Sequence, residues 1–474
     1  MLYNSFEFIR LLLITFCLYY FPGVGRWQVP LLIIASLLFY AYGQADLLWL
    51  LLLSVLINIL TSYFVVFGRQ SLRKTIAICG VVGNLSILCF YKYGPLLGET
   101  FFPSGTALGE WLVSLPLPIG ISFFTFQGIS LIVDTYRNRE VNEYRTLIAR
   151  SLIKHARTVL LFKAFFPQLI AGPIVKAHFF LPQISPKLLK DVQWEYCFRT
   201  LVLGYFLKMV VADNLKDYTV LMTYPYFETV SSFTLIALLF GYSMQIFADF
   251  AGYSLIALGL AALFGYRFPI NFNFPYMATS FSDFWRRWHI SLSSFLREYL
   301  YIPLGGNRRG PVRTYINLLL TMVLGGLWHG AAWSYAVWGL AHGLALAGER
   351  LVRDYIRLPR ASWLQAVKVV LVFGYVTFAW LLFRLPDFDH VLAYGRSLFM
   401  NSRKPHEVLS VGFIAVYSIP VLAYHWFYLL RKQGANQQAL SAQWPHLDVA
   451  INSFMLFMII TNSGSSSTFI YFQF

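Results

Sequence analysis

Between Phe281 and His342 an otherwise apolar chain gathers residues that can move a proton or steady a charge. The run Phe281-Ser282-Asp283-Phe284-Trp285-Arg286-Arg287-Trp288-His289 leads through Gly305-Gly306-Asn307-Arg308-Arg309 to Gly325-Gly326-Leu327-Trp328-His329-Gly330. An imidazole exchanges a proton with a hydroxyl near neutral pH, and an indole N–H or a second imidazole in a dry site can stabilise an oxyanion. Acyl transfer to a hydroxyl needs those two elements. His329 stands out because Gly326 and Gly330 bracket it and Trp328 adjoins it, and small residues admit another backbone or a ligand at close range. His289 is the second candidate. An ionisable group in a bilayer costs about 2.5–3.5 kcal/mol on insertion scales, so such groups usually face a cavity.

The other histidines carry less. His155, His178, His390, His406 and His446 fall in loops or near segment ends, where a solvated role accounts for them, and His425, beside Trp426 in an apolar run, reads as a core residue. His342 follows His329 by thirteen positions, which turns it well around a helix and gives it a structural reading. No GxSxG elbow, HExxH, Walker A or GxGxxG stands in a convincing setting, and Gly305-Gly306-Asn307 reads as a turn. Cys17, Cys79, Cys89 and Cys197 show no CxxC spacing, so neither a disulfide framework nor a metal site is expected. A membrane enzyme using histidine and a transporter using the same polar groups without chemistry both remain open. A purely structural anchor is a third reading.

These groups must be held in lipid. Of 474 residues 58% are hydrophobic and 12% charged, with mean hydropathy +0.60, whereas soluble domains carry roughly 25% charged residues. The composition excludes a soluble enzyme and gives an all-α polytopic membrane protein, read as one domain over residues 1–474. The formal charge of +16 does not indicate nucleic acid, because the cations sit in short loops between apolar runs, the positive-inside pattern. Some of those loops could also receive an anionic cytosolic ligand.

Apolar runs from Phe8 to Phe21, Leu31 to Tyr42, Leu47 to Phe67 and Thr75 to Tyr91 come first, the earliest read as a retained span. Arg69, Arg73 and Lys74 follow the third, which puts that loop in the cytoplasm and the N-terminus outside. Pro116 to Val133 then runs inward to a loop with Arg137, Arg139, Arg145, Arg150, Lys154 and Arg157. Val159 to Val175, interrupted by Pro167 and Gly172-Pro173 between basic flanks, reads as re-entrant, with a kinked span as the alternative. Thr200 to Val211 contains Lys208, expected to snorkel, and Phe233 to Tyr266 is expected to bend or break near Gly252-Tyr253.

Further on, Ser280 or Ser282 is expected to cap a helix, with Trp285 and His289 on one face and Asp283 in reach of Arg286 or Arg287. Tyr315 to Leu327 and Ala331 to Ala347 read as pieces too short to cross, with their junction inside the membrane. Arg350, Arg353, Arg357 and Arg360 return the chain to the cytoplasm, and Val367 to Leu382, Val411 to Leu430 and Val449 to Thr461 complete roughly twelve spans.

Several blocks resemble membrane-bound O-acyltransferases, in particular the bacterial branch that modifies alginate and, more distantly, the one that transfers D-alanine to teichoic acids. They are Pro116 to Phe123, Leu169-Ile170-Ala171-Gly172-Pro173, Asp249-Phe250-Ala251-Gly252-Tyr253-Ser254, Phe284 to Ser293, Tyr301 to Asn307, Gly325 to Gly330 and the ending Tyr471-Phe472-Gln473-Phe474. The resemblance implies half-length or re-entrant helices around a central tunnel in a bacterial inner membrane. It implies His329 as the principal catalytic histidine and His289 as its partner, with Trp328, Trp285, Asp283, Arg286, Asp249, Tyr253 and Asn307 binding substrate or lining the tunnel. No tightly bound cofactor is implied. Acetyl-CoA is the implied donor, an extracytoplasmic SGNH-type protein the implied partner, and an envelope polysaccharide, alginate-like first and peptidoglycan or cellulose next, the implied acceptor. Arg287, Arg308 and Arg309, like Arg286, could attract the donor's phosphates or serve only as positive-inside anchors.

Overall fold

The computed structural model describes residues 1–103, 105–137, 147–170, 172–355, 361–432 and 445–465, and among these the regular elements are all helical. Arg139, Arg145, Ala171, Arg357, Arg360 and the ending from Tyr471 to Phe474 lie outside the described residues. The chain forms two compact units, one of Met1–Leu201 with Ile256–Pro269 and the other of Val202–Leu255 with Ile270–Phe474.

The first unit opens with α1 (Phe6–Tyr19), α2 (Gln28–Gln44), α3 (Leu48–Phe67) and α4 (Arg73–Phe101), followed by α5 (Ala107–Val113), α6 (Ile121–Arg137) and α7 (Leu152–Ala164). Ser5 starts α1 by accepting a hydrogen bond from Phe8 N. Apolar surface alone does not hold helices together in lipid, so close packing of small residues and buried hydrogen bonds must contribute. Both occur where α3, α4 and α6 meet. A Cβ on Gly128 would lie 2.6 Å from the Asn58 amide, and Asn58 Nδ2 donates to Asn84 Oδ1 at 2.9 Å. Lys163 Nζ, fully buried on α7, donates to Ser54 Oγ at 2.5 Å, and Ser54 donates on to Asn84. His155 is equally buried, 2.8 Å from Ser62 Oγ, so the expectation of a solvated histidine there was wrong. A short helix at Phe166–Leu169 follows the Phe165 break, so Val159 to Val175 is interrupted where its prolines require.

In the second unit the segment after Tyr205 winds as a π-helix over Phe206–Ala212. Lys208 on it does not snorkel. Its ammonium lies 2.7 Å from Asp213 and 2.8 Å from Asp249, all three side chains buried. The break expected near Gly252 is also absent, because α8 (Ser232–Leu263) runs unbroken for 32 residues. Gly252 serves close approach instead, since a Cβ there would stand 2.8 Å from the Gly204 carbonyl and 2.9 Å from Lys208 N. Next come α9 (Phe281–Arg287), α10 (Ile290–Leu296), α11 (Pro311–His329) and α12 (Trp333–Tyr355), then α13 (Ser362–Arg384), α14 (Phe388–Met400), α15 (Val408–Lys432) and α16 (Pro445–Thr461). The 19 residues of α11 and 23 of α12 exceed the short pieces expected from hydropathy, because their first or last turns carry polar residues.

Among the described residues five stretches are long and apolar enough to cross a bilayer: Gly25–Phe67, Gln70–Phe101, Ser232–Leu263, Trp363–Arg384 and Val408–Leu429. The described helices therefore give a multi-pass membrane protein without establishing a twelve-span count.

Candidate active site

Ser280 caps α9, its hydroxyl accepting from Asp283 N at 3.0 Å, and the Asp283 carboxylate takes Arg287 Nε at 2.9 Å. The cap and the Asp283–Arg287 pair are as the sequence led us to expect. The shared face of Trp285 and His289 is not, because α9 ends at Arg287 and His289 adopts φ +44°, in the left-handed region that non-glycine residues seldom occupy. Asn271 holds this turn. Its backbone carbonyl accepts from Ile290 N (3.0 Å), its side-chain carbonyl from Ser291 Oγ (2.6 Å), and its amide donates to Ser254 Oγ (3.0 Å).

His329 is the last residue of α11, and only residues 330–332 separate it from α12. The glycines around it admit a neighbouring backbone. A Cβ on Gly326 would collide with the Tyr335 carbonyl and come within 3.0 Å of Gly339 Cα, and one on Gly339 would collide with the Met322 carbonyl. Gly330 lies against the Tyr335 ring. The glycine motif is thus the seam of a tight helical hairpin that fixes where His329 ends up.

The two imidazoles meet with ring centroids 6.2 Å apart. Trp328 stands 5.1 Å from His329 and 5.7 Å from His289, while Trp338 and Phe383 enclose His329 at 5.2 and 5.4 Å. Phe250 meets His289 edge to face at 4.6 Å. Burial lowers His289, in the link between α9 and α10, from its ordinary value to about 3, so its ring is neutral at pH 7. A cavity of about 490 Å³ opens beside His329, lined also by Trp285, Trp338, Thr321, Tyr301, Arg286 and Arg297. This volume lies within the range of small-molecule sites. A desolvated imidazole pair walled by indoles can take a proton from one group and donate a hydrogen bond to another.

Among the residues singled out, His329, Trp285 and Arg286 line the cavity, and His289 and Trp328 flank His329. Asp283 is engaged in the helix-start clasp. Asp249 and Tyr253 are engaged by Lys208, whose Nζ is 5.4 Å from the Tyr253 ring. Asn307 is exposed in the Gly305-Gly306 turn, accepting from the Tyr301 hydroxyl.

Trp338 escaped the sequence reading, and His342 was given only a structural one. They lie four apart on α12, fully buried with rings 4.8 Å apart, and the His342 ring is 5.1 Å from Trp285. Neither ring nitrogen of His342 nor the indole N–H of Trp338 has a hydrogen-bond partner among the described residues. Counting thirteen positions around one helix misplaced His342, because the break at residues 330–332 starts a new helix. The spacing of Trp338 and His342 was the available signal; nothing local announced Asn271.

Residues 34–385 match the MBOAT, membrane-bound O-acyltransferase, family. The chain is 32% identical to the peptidoglycan O-acetyltransferase of Helicobacter pylori, with 94% of this chain and 91% of that protein aligned. It is 39% identical to the probable alginate O-acetylase AlgI of Pseudomonas aeruginosa over 81% of this chain and 72% of that one. To the teichoic acid D-alanyltransferase of Bacillus subtilis it is 26% identical, over 82% and 99%. With a family match spanning most of its length and relatives of this identity aligned over more than two thirds of both chains, the chain belongs to the membrane-bound O-acyltransferase family and is an O-acyltransferase.

Proposed function

We propose that this enzyme takes acetyl groups from cytoplasmic acetyl-CoA and delivers them across the bacterial inner membrane for O-acetylation of an envelope or exported polysaccharide. The observation that carries this reading is the His329–His289 pair at a cavity able to admit a thioester arm. His329 accepts the proton of the acceptor hydroxyl as its oxygen attacks the acetyl carbonyl. The C–O bond forms, the C–S bond breaks, and the proton passes to the departing thiolate. His289, neutral at pH 7, donates a hydrogen bond to the tetrahedral oxyanion. Arg286 and Arg297 at the cavity give the donor's phosphates a cationic approach.

The relatives named for alginate and peptidoglycan acetylation support a polysaccharide as final acceptor. An alginate-like polymer comes first, then peptidoglycan or cellulose, reached through an extracytoplasmic SGNH-type partner. Positive-inside charge supports an extracytoplasmic N-terminus. The test is ester-linked acetate on envelope polysaccharides in a deletion strain carrying wild type, His329→Ala or His289→Ala at equal membrane levels. Loss of a general base costs about 10²–10⁴-fold, so His329→Ala is expected to fall to the deletion background. Wild-type ester with His329→Ala would remove that residue from the chemistry. Thiol release by purified protein, absent from a pure transporter, separates transfer from transport.

A further inference from the structure

The first unit contains a second cavity, of about 920 Å³, whose lining includes Lys187, Arg267, Tyr266, Phe179 and Tyr196. Its two cations are held by a matched device. Gln28 Oε1 accepts from Lys187 N at 2.8 Å while Gln28 Nε2 donates to Lys187 O at 2.9 Å. Gln183 treats Arg267 the same way, accepting from its N at 2.7 Å and donating to its O at 3.1 Å. Each glutamine thus fixes both backbone polar groups of one basic residue and leaves the cationic side chain to the cavity. Gly265, at φ +76°, lies under the Lys187 stem: a Cβ there would be 2.9 Å from Lys187 Cδ. The ammonium stands 5.3 Å from the centroid of the buried Tyr266 ring.

Two like charges on clamped backbones are unfavourable neighbours. Burial and then the charge of Arg267 both lower Lys187 from the ordinary lysine value. Among the described residues neither cation forms an ion pair; Asp191 also lines the cavity, but its carboxylate is exposed. An anion seated between them relieves the repulsion. The surroundings define which anion. Phe179, Leu188 and Tyr196 of the lining are exposed, and an apolar rim beside two cations suits an acyl chain and a head group better than a fully hydrated ion.

We propose that this cavity binds the phosphate of an anionic phospholipid, with Lys187 and Arg267 on the phosphate and an acyl chain along Phe179 and Leu188. The test titrates the purified full-length protein with dioctanoyl-phosphatidylglycerol, dioctanoyl-phosphatidylcholine or inorganic phosphate, following bound lipid by native mass spectrometry and binding by thermal shift. Wild type is expected to prefer the glycerol lipid. Lys187→Gln with Arg267→Gln is expected to weaken it at least about tenfold, while Lys187→Arg with Arg267→Lys and the outlying Lys190→Gln retain it. Equal binding by the double glutamine variant or equal binding of the choline lipid overturns the site. Inorganic phosphate competing as tightly as the lipid assigns the cations to a soluble phosphate and overturns the lipid.

Discussion

His289 owes its place to Asn271 more than to either helix it joins, because the left-handed turn is tied through Ile290 and Ser291 to that one side chain and its carbonyl. Asn271→Ala removes the acceptor for Ser291 and loosens the turn, leaving it tied to position 271 by the backbone bond from Ile290 N. Misplacing a catalytic group by about 1 Å can cost on the order of 10²-fold, so kcat is expected to fall strongly while the KM for the donor changes little. A raised KM with kcat unchanged would assign Asn271 to ground-state binding. Acid supplies a second test at this scale. His289 stays neutral in the folded protein down to about pH 3 but titrates near 6.5 when unfolded. Between those values the unfolded chain binds a proton that the folded one does not, so the His289 contribution is full above pH 6.5 and lost as pH falls toward 3. His289→Asn should flatten the fall of the thermal midpoint across that window in detergent. An unchanged slope would mean the acid lability arises elsewhere.

The hairpin of α11 and α12 is the element on which the site depends, and its tolerance is set by backbone contact. A methyl at Gly326 meets the Tyr335 carbonyl, so Gly326→Ala must force the helices apart; overpacking of this kind costs about 1–3 kcal/mol. We expect a lower melting temperature and loss of acyl transfer. Gly348→Ala on α12, where nothing stands within 4 Å, should be neutral or slightly stabilising. Tolerance of Gly326→Ala would show that the seam can open without cost. Most helices were legible from hydropathy, and the start of α9 from Ser280 and Asp283, since caps are local. The errors share a physical origin. Gly252 looked like a break because its close neighbours, Gly204 and Lys208, are distant in sequence, and Lys208 was expected to snorkel because one of its two carboxylate partners, Asp249, lies 41 positions away, although Asp213 is only five on. His329 and Trp328 were visible through their glycines, whereas Trp338, His342 and Asn271 gain meaning only once the chain folds back.

At the scale of the whole molecule, the long apolar helices differ in how much of them the protein itself covers. In α8, 83% of the most apolar stretch is buried, against 22% in Val408–Leu429 and 22% in Gln70–Phe101. At 1.5 Å per residue α8 is about 48 Å long, well beyond the ~30 Å hydrocarbon thickness. A bare span of that length would tilt or deform the bilayer as lipid chains shortened. Sheathed in protein, α8 has little lipid to answer to, and hydrophobic mismatch falls instead on the exposed flanks of the outer helices. Since α8 carries Phe250 against His289, the proposed site is insulated from membrane thickness. Reconstituted in bilayers of short and long acyl chains, the enzyme should turn over at rates differing by less than about twofold, even where the amount of protein retained in each membrane differs more.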